Sequence, residues 1–173
     1  MTVRRPRLAA LLPAVLGVLL VARLAVAEPF AIPSESMSPT LSRGDHVLVD
    51  KLAYGGGGGG AAPRRGDLVV FHAPRSGEIM LKRVVALGGD TVALEDGALV
   101  VNGERQIEPY TDPDAIDSVY FGPARVAPRS VFVLGDNRAD STDSRAFGFV
   151  PNTDLIGRAR ARVWPPSRWG GLR

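Results

Sequence analysis

The chain contains no cysteine, two histidines (His46 and His72) and two lysines (Lys51 and Lys82). The lack of cysteine removes disulfides, thiol nucleophiles and cysteine-ligated metals. The shortage of histidine removes a histidine-rich metal cluster. Excess charge is also missing. Lys and Arg outnumber Asp and Glu by 21 to 18, and Arg4, Arg5 and Arg7 crowd the first seven residues. Without that basic tip the chain is near neutral, so charge does not point to nucleic acid. Helix-period apolar runs of useful length are absent after residue 28. What remains is 173 residues at 45% apolar content, enough for one packed domain and a short appendage. Twenty glycines and fourteen prolines favour turns and short strands. Since two of the 21 basic residues are lysines and the other nineteen are arginines, each lysine draws notice. Lysine can be deprotonated on burial, and arginine cannot. A solvated surface lysine is the plainer alternative.

Residues 1–7 form a basic tip, followed by an apolar run from Leu8 to Ala27 with one charge, Arg23. About 20 helical residues cross a ~30 Å hydrocarbon layer. The arginines should stay in the cytoplasm, which places residues 28–173 on the extracytoplasmic face of a single-pass membrane protein. Ala25-Val26-Ala27 also fits a cleaved signal peptide, but Arg23 interrupts the run just before it. The retained anchor over 8–27 is the preferred expectation.

Beyond it, turns alternate with strands. Gly44-Asp45 leads into Val47–Val49, Gly66-Asp67 into Leu68–Phe71, and Gly89-Asp90 into Thr91–Leu94. Ala98–Val101 runs into Asn102-Gly103, a strong hairpin signal. Ile79–Leu87, Ser130–Leu134 and Arg158–Trp164 complete the strands. The pattern predicts an all-β domain of mostly antiparallel sheets. Residues 55–60 are six glycines, expected to form a flexible surface loop. They lack the Lys-Ser/Thr and the following helix that a phosphate loop needs.

Pro33 and Pro39 bracket Ser34-Glu35-Ser36-Met37-Ser38 and stiffen the loop. Such a loop either presents a nucleophilic serine or is a linker turn. A serine nucleophile needs a base. His46 and His72 flank strands and read as surface imidazoles. Lys82 lies in the apolar strand Ile79–Val85, where burial would favour the neutral amine. Lys51 beside Asp50 reads as solvated.

Three segments then match one family in order. Pro33–Leu41 resembles the nucleophile box of the type I signal peptidases, which are membrane-anchored serine proteases. Lys82–Asp90 resembles their lysine box, and Gly135–Arg145 their C-terminal box. Phe147–Pro151 and Ile156–Ala159 continue the likeness, which spans Glu28 to Trp164. It implies a compact signal-peptidase-like β-domain. Ser36 would be the nucleophile and Lys82 the general base. The Ser36 N–H and the Ser34 hydroxyl would form the oxyanion hole, each donor worth roughly 3 kcal/mol. Ser141 would hydrogen-bond the Lys82 nitrogen and orient it. Asp143 and Arg145 would pair behind the site, and Asp136 and Asn137 would shape a turn. Gly135 would let the backbone pass close to the lysine, and Met37 would line the site. A substrate strand beside residues 79–83 and 31–34 would meet Phe30, Ile32, Met80 and Leu81, which line shallow pockets for an Ala-x-Ala cleavage site. The implied partners are exported preproteins and the lipid bilayer. No metal, cofactor or nucleic acid is implied.

The chain departs from the family at Ala139-Asp140, where Asp-Asn is common, and at Glu35, where a small residue is frequent. Glu35 either faces solvent or modifies substrate preference. Arg158, Arg160, Arg162, Arg168 and Arg173 either face anionic lipid or form a solvated face. Two other functions fit less well. A self-cleaving Ser-Lys relative would not need an anchor. A degenerate β-domain that only binds export partners would not need Ser36, Lys82 and Ser141 together.

Overall fold

Three Gly-Asp turns set the strands in motion. In each, the aspartate carboxylate accepts the N–H of the residue three positions earlier: Ser42 to Asp45 at 3.0 Å, Arg64 to Asp67 at 3.0 Å and Leu87 to Asp90 at 2.7 Å. The preceding glycine takes a left-handed conformation, with φ of 87°, 90° and 95° at Gly44, Gly66 and Gly89. The chain then leaves as β2 (His46–Asp50), β3 (Leu68–His72) and β5 (Thr91–Glu95). The computed structural model describes residues 26–54, 61–112 and 120–172. The expected anchor up to residue 25 and the six glycines lie outside them. Among the described residues, no helix is long and apolar enough to cross a membrane.

The main sheet also holds β1 (Ala27–Ala31), β4 (Ile79–Leu87), β9 (Ser130–Leu134), β10 (Val150–Pro151), β11 (Leu155–Trp164) and β12 (Gly170–Gly171). Its order is β1-β2-β11-β3-β4-β9-β10, with β12 beside β11, and its pairings are antiparallel. Ala27, assigned from sequence to the end of the anchor, pairs with Asp50 as the first residue of β1. β6 (Ala98–Val101), β7 (Glu104–Arg105) and β8 (Phe121–Arg125) join β5 in a second sheet, ordered β7-β6-β5-β8. Asn102 and Gly103 both have positive φ, 55° and 83°, as a tight hairpin between β6 and β7 requires. A single helical turn, α1 (Ser144–Phe147), is capped by the Asp143 side chain.

The apolar runs are continuous because the central strands are covered on both faces. Leu68 and Val70 of β3 pack with Ile32, Met37, Leu41 and Leu81. The alternate residues Val69 and Phe71 pack with Val84, Val131 and Val133. β9 divides likewise, with Phe132 and Leu134 packing among Val85, Val92, Leu99 and Val101. β4 therefore runs through all three apolar clusters, and it carries Lys82 and Arg83 at its middle.

The basic C-terminal strand is neither a free cationic face nor merely solvated. Arg158 pairs with Asp67 at 3.0 Å, Arg160 with Asp50 at 2.9 Å, and Arg162 and Arg168 with Asp45 at 3.0 and 3.2 Å. Arg173 lies outside the described residues.

Candidate active site

The nucleophile loop leaves β1 and is fixed at both ends by backbone bonds: Ile32 N–H to Asp45 O at 2.8 Å, and Gly44 N–H to Ile32 O at 2.9 Å. Met37 and Leu41 anchor it from below, at 1% and 0% exposure. With two apolar side chains seated and two prolines restricting the backbone, Ser36 has little freedom.

Lys82 Nζ lies 2.5 Å from Ser36 Oγ, and Ser34 Oγ lies 3.1 Å from the same oxygen. Lys82 is 4% exposed and Ser36 8%. Burial pulls the Lys82 amine down to about 8, against the nearby Asp143, Asp136 and Asp140 carboxylates, which favour the ammonium, and with help from Arg145. The other lysine and both histidines stay outside. Lys51 is exposed and bonded to Glu28, and His46 and His72 are both exposed.

The dyad lies in a cleft of about 560 Å³ lined by Ile32, Pro33, Ser34, Met37, Ile79, Met80 and Leu81, together with the polar Glu78, Asp140 and Thr142. Phe30 does not line this cleft. It lies in a smaller neighbouring hollow with Pro29, Val49 and Ile156, and Ile79 borders both. β4 pairs with β3 along Ile79–Arg83 but with β9 only from Arg83 onward. Residues 79–82 therefore have one edge without a strand partner among the described residues, and that edge ends at Lys82.

The expected bond from Lys82 to Ser141 is absent. Ser141 Oγ is buried and has no hydrogen-bond partner, and the lysine nitrogen lies instead on Ser36. The hydroxyl is packed over Gly135, where an added Cβ would lie 2.2 Å from it and 2.5 Å from the Ser36 carbonyl oxygen. The close approach that requires glycine at 135 is thus to Ser141 and Ser36. Asp143 and Arg145 do pair, at 2.9 Å, and Asp143 also accepts the Gly135 N–H at 3.1 Å. Asn137 ties the nucleophile loop from the other side, its N–H donating to Ser36 O at 3.1 Å and its amide to Glu35 O at 3.3 Å. The Glu35 carboxylate is exposed and accepts the Arg43 N–H.

Asp136 does more than shape a turn. It accepts a forked pair from Arg83, with Nε at 2.8 Å and Nη2 at 2.7 Å, and both side chains are 1% exposed. Thr40 Oγ1 donates to the same carboxylate at 2.5 Å. Sequence reasoning passed over Arg83 and Thr40. An arginine inside an apolar strand was the signal available, since a buried guanidinium requires a carboxylate.

A buried amine of lowered basicity on a serine hydroxyl, in a cleft with an open strand edge, is equipped for nucleophilic attack on a peptide bond. Comparisons with known proteins agree. The family model for signal peptidase, peptidase S26, matches residues 5–164. A signal peptidase I from Leptolyngbya laminosa is 42% identical over 87% of this chain and 75% of its own length. A probable signal peptidase I-1 of a Synechocystis strain is 41% identical over 94% and 84%. Among solved structures, a signal peptidase I from Enterococcus faecalis aligns with a TM-score of 0.50 at 33% identity, covering 57% of this chain and 97% of that one. The chain is thus a member of the signal peptidase family, peptidase S26.

Proposed function

We propose that this signal peptidase is a membrane-anchored serine endopeptidase in which Ser36 attacks the scissile carbonyl and Lys82 is the general base. The observation that carries the proposal is the 2.5 Å separation of Lys82 Nζ and Ser36 Oγ, both buried in the cleft floor. The neutral amine takes the serine proton as Oγ bonds to the carbonyl carbon. The carbonyl oxygen becomes an oxyanion, received by the Ser36 N–H and the Ser34 hydroxyl. The tetrahedral adduct collapses, the C–N bond breaks, and the Lys82 ammonium gives its proton to the leaving amine. Water, deprotonated by the same amine, then releases the acyl group from Ser36. Ser141, with its buried and unpartnered hydroxyl, is the remaining candidate to steady the lysine in its charged state.

The preprotein binds as an added strand along residues 79–82, and the apolar walls from Ile32, Met37, Met80 and Leu81 accept the small residues of an Ala-x-Ala site. The apolar run before β1, residues 8–25, anchors the chain, so cleavage takes place at the extracytoplasmic membrane face. Mass spectrometry of a preprotein digested by the full-length enzyme in detergent tests this. The cut is expected after the second alanine, and a cut elsewhere would overturn the specificity.

Gly135→Ala should lower kcat by about 100-fold, because the new methyl must push Ser141 and the Ser36 backbone aside and so misplace the nucleophile. Steady-state kinetics checks this. Asp140→Asn should act in the opposite sense near neutral pH. It removes a carboxylate that favours the Lys82 ammonium, so the acid limb of the pH–rate profile moves to lower pH.

A further inference from the structure

A strap from the second sheet reaches the back of the catalytic centre. Gln106, just past β7, donates its N–H to Leu99 O in β6 at 2.8 Å, which fixes the strap's first end to that sheet. Thr111 closes a turn onto Glu108 O through its hydroxyl at 2.9 Å. Between these points the strap carries Glu108 and Tyr110. The Tyr110 ring lies against the Arg83 guanidinium, 3.9 Å from its carbon to the ring centroid. The phenol donates to Glu108 Oε1 at 2.8 Å. The same carboxylate oxygen pairs with Arg138, which is 2% exposed and donates from Nε to Gly135 O at 3.0 Å. Arg83 follows Lys82 in β4, and Gly135 underlies Ser36 and Ser141. The two strap side chains therefore hold the two buried arginines that border the dyad's supports.

We propose that Glu108 and Tyr110 are positioning residues for signal-peptide cleavage, clamping Arg83 and Arg138 from behind so that Lys82 stays seated on Ser36. The proposal rests on the Ser36–Lys82 assignment and extends it to a segment outside the main sheet. An arginine held against an aromatic ring and forked to a carboxylate is fixed both across its plane and along one edge. Removing the ring opens one face of Arg83 to water, and the fork to Asp136 loosens. Asp136 links Arg83 to Thr40 of the nucleophile loop, so both halves of the dyad lose register. Asp136 also favours the charged form of Lys82, and it does so more strongly as Arg83 withdraws.

The test compares full-length wild type, Tyr110→Leu, Tyr110→Phe, Glu108→Gln and Ser36→Ala on one preprotein, following kcat, KM and the pH profile. Tyr110→Leu should lower kcat about 10- to 100-fold with KM held within about twofold, and should move the acid limb to higher pH. Tyr110→Phe, which keeps the ring over Arg83, should restore both. Should the leucine variant fail to fold, Glu108→Gln decides, with an expected kcat loss of about 3- to 10-fold and the same direction of limb shift. Wild-type kcat and pH profile in the deciding variant, or a loss carried by KM alone, would overturn the proposal. Full activity in Ser36→Ala would overturn the underlying assignment as well, whereas an inert Ser36→Ala beside an unaffected strap variant defeats the strap alone.

Discussion

Lys82→Met and Lys82→Arg are both expected to reduce cleavage by about 10⁴-fold or more, as is Ser36→Ala, because nucleophile and base act as a unit. The arginine variant is the sharper of the two lysine changes. It keeps a cation in the strand but cannot accept a proton at working pH. Activity surviving in it would move the base elsewhere, to Lys51 or a histidine. In the wild type, only the neutral amine can take the serine proton. The rate should therefore climb tenfold per pH unit below about 8 and level off above it.

The same shift has a consequence for stability. The Lys82 amine is held at about 8 in the folded chain, below the ordinary 10.5. Between those values the unfolded chain binds more protons, so stability rises as pH climbs from about 8 to 10.5. Below 8 the full cost of burying the ammonium is present, roughly 3 kcal/mol at 1.36 kcal/mol per unit. Lys82→Met should therefore be inert yet melt higher than wild type at pH 7. A lower Tm for that variant would mean that the lysine's contacts outweigh its desolvation.

The second large effect is on folding. Arg83→Met or Asp136→Ala should each destabilise the chain by about 3–5 kcal/mol, since each leaves an opposite charge buried without its main partner. For a chain of this size that is a fall in Tm of about 10 °C. The double variant Arg83→Met/Asp136→Leu removes both charges and should recover much of the loss. Chemical denaturation of the four chains measures the coupling, and simple additivity of the two single losses would refute it. Activity should remain low in the double variant even where stability returns. Thr40 then loses its acceptor, and the nucleophile loop loses a tie to β4.

Much of this was legible along the chain. Short apolar runs set off by turns, several of them Gly-Asp, located β2, β3, β4, β5, β6 and β9, because those signals are local and act within a few residues. The Asn102-Gly103 hairpin followed from the positive φ that its turn demands. Other pieces escaped. β1 was missed because Glu28 and Pro29 break any apolar pattern within its five residues. β12 and β10 have two residues each, too few for any periodicity.

The site divides in the same way. Sequence patterning by itself pointed to a serine of the proline-bracketed loop and to Lys82, and the resemblance to the signal peptidases singled out Ser36 among the loop's serines. Proline fixes backbone locally, and a lysine inside an apolar strand announces its own burial. The same resemblance implied the Asp143–Arg145 pair, whose partners are two residues apart. Only the tertiary structure decided what surrounds them. Arg83 meets Asp136 across 53 positions, and Arg138 meets Glu108 across 30. The hydroxyl of Ser141 comes to rest on Gly135 rather than on Lys82. Such contacts depend on which strands become neighbours, and that is set by burying three apolar clusters at once. A charge or hydroxyl in the sequence shows that a partner is required. The folded sheet alone determines which group, many residues away, is carried within 3 Å of it.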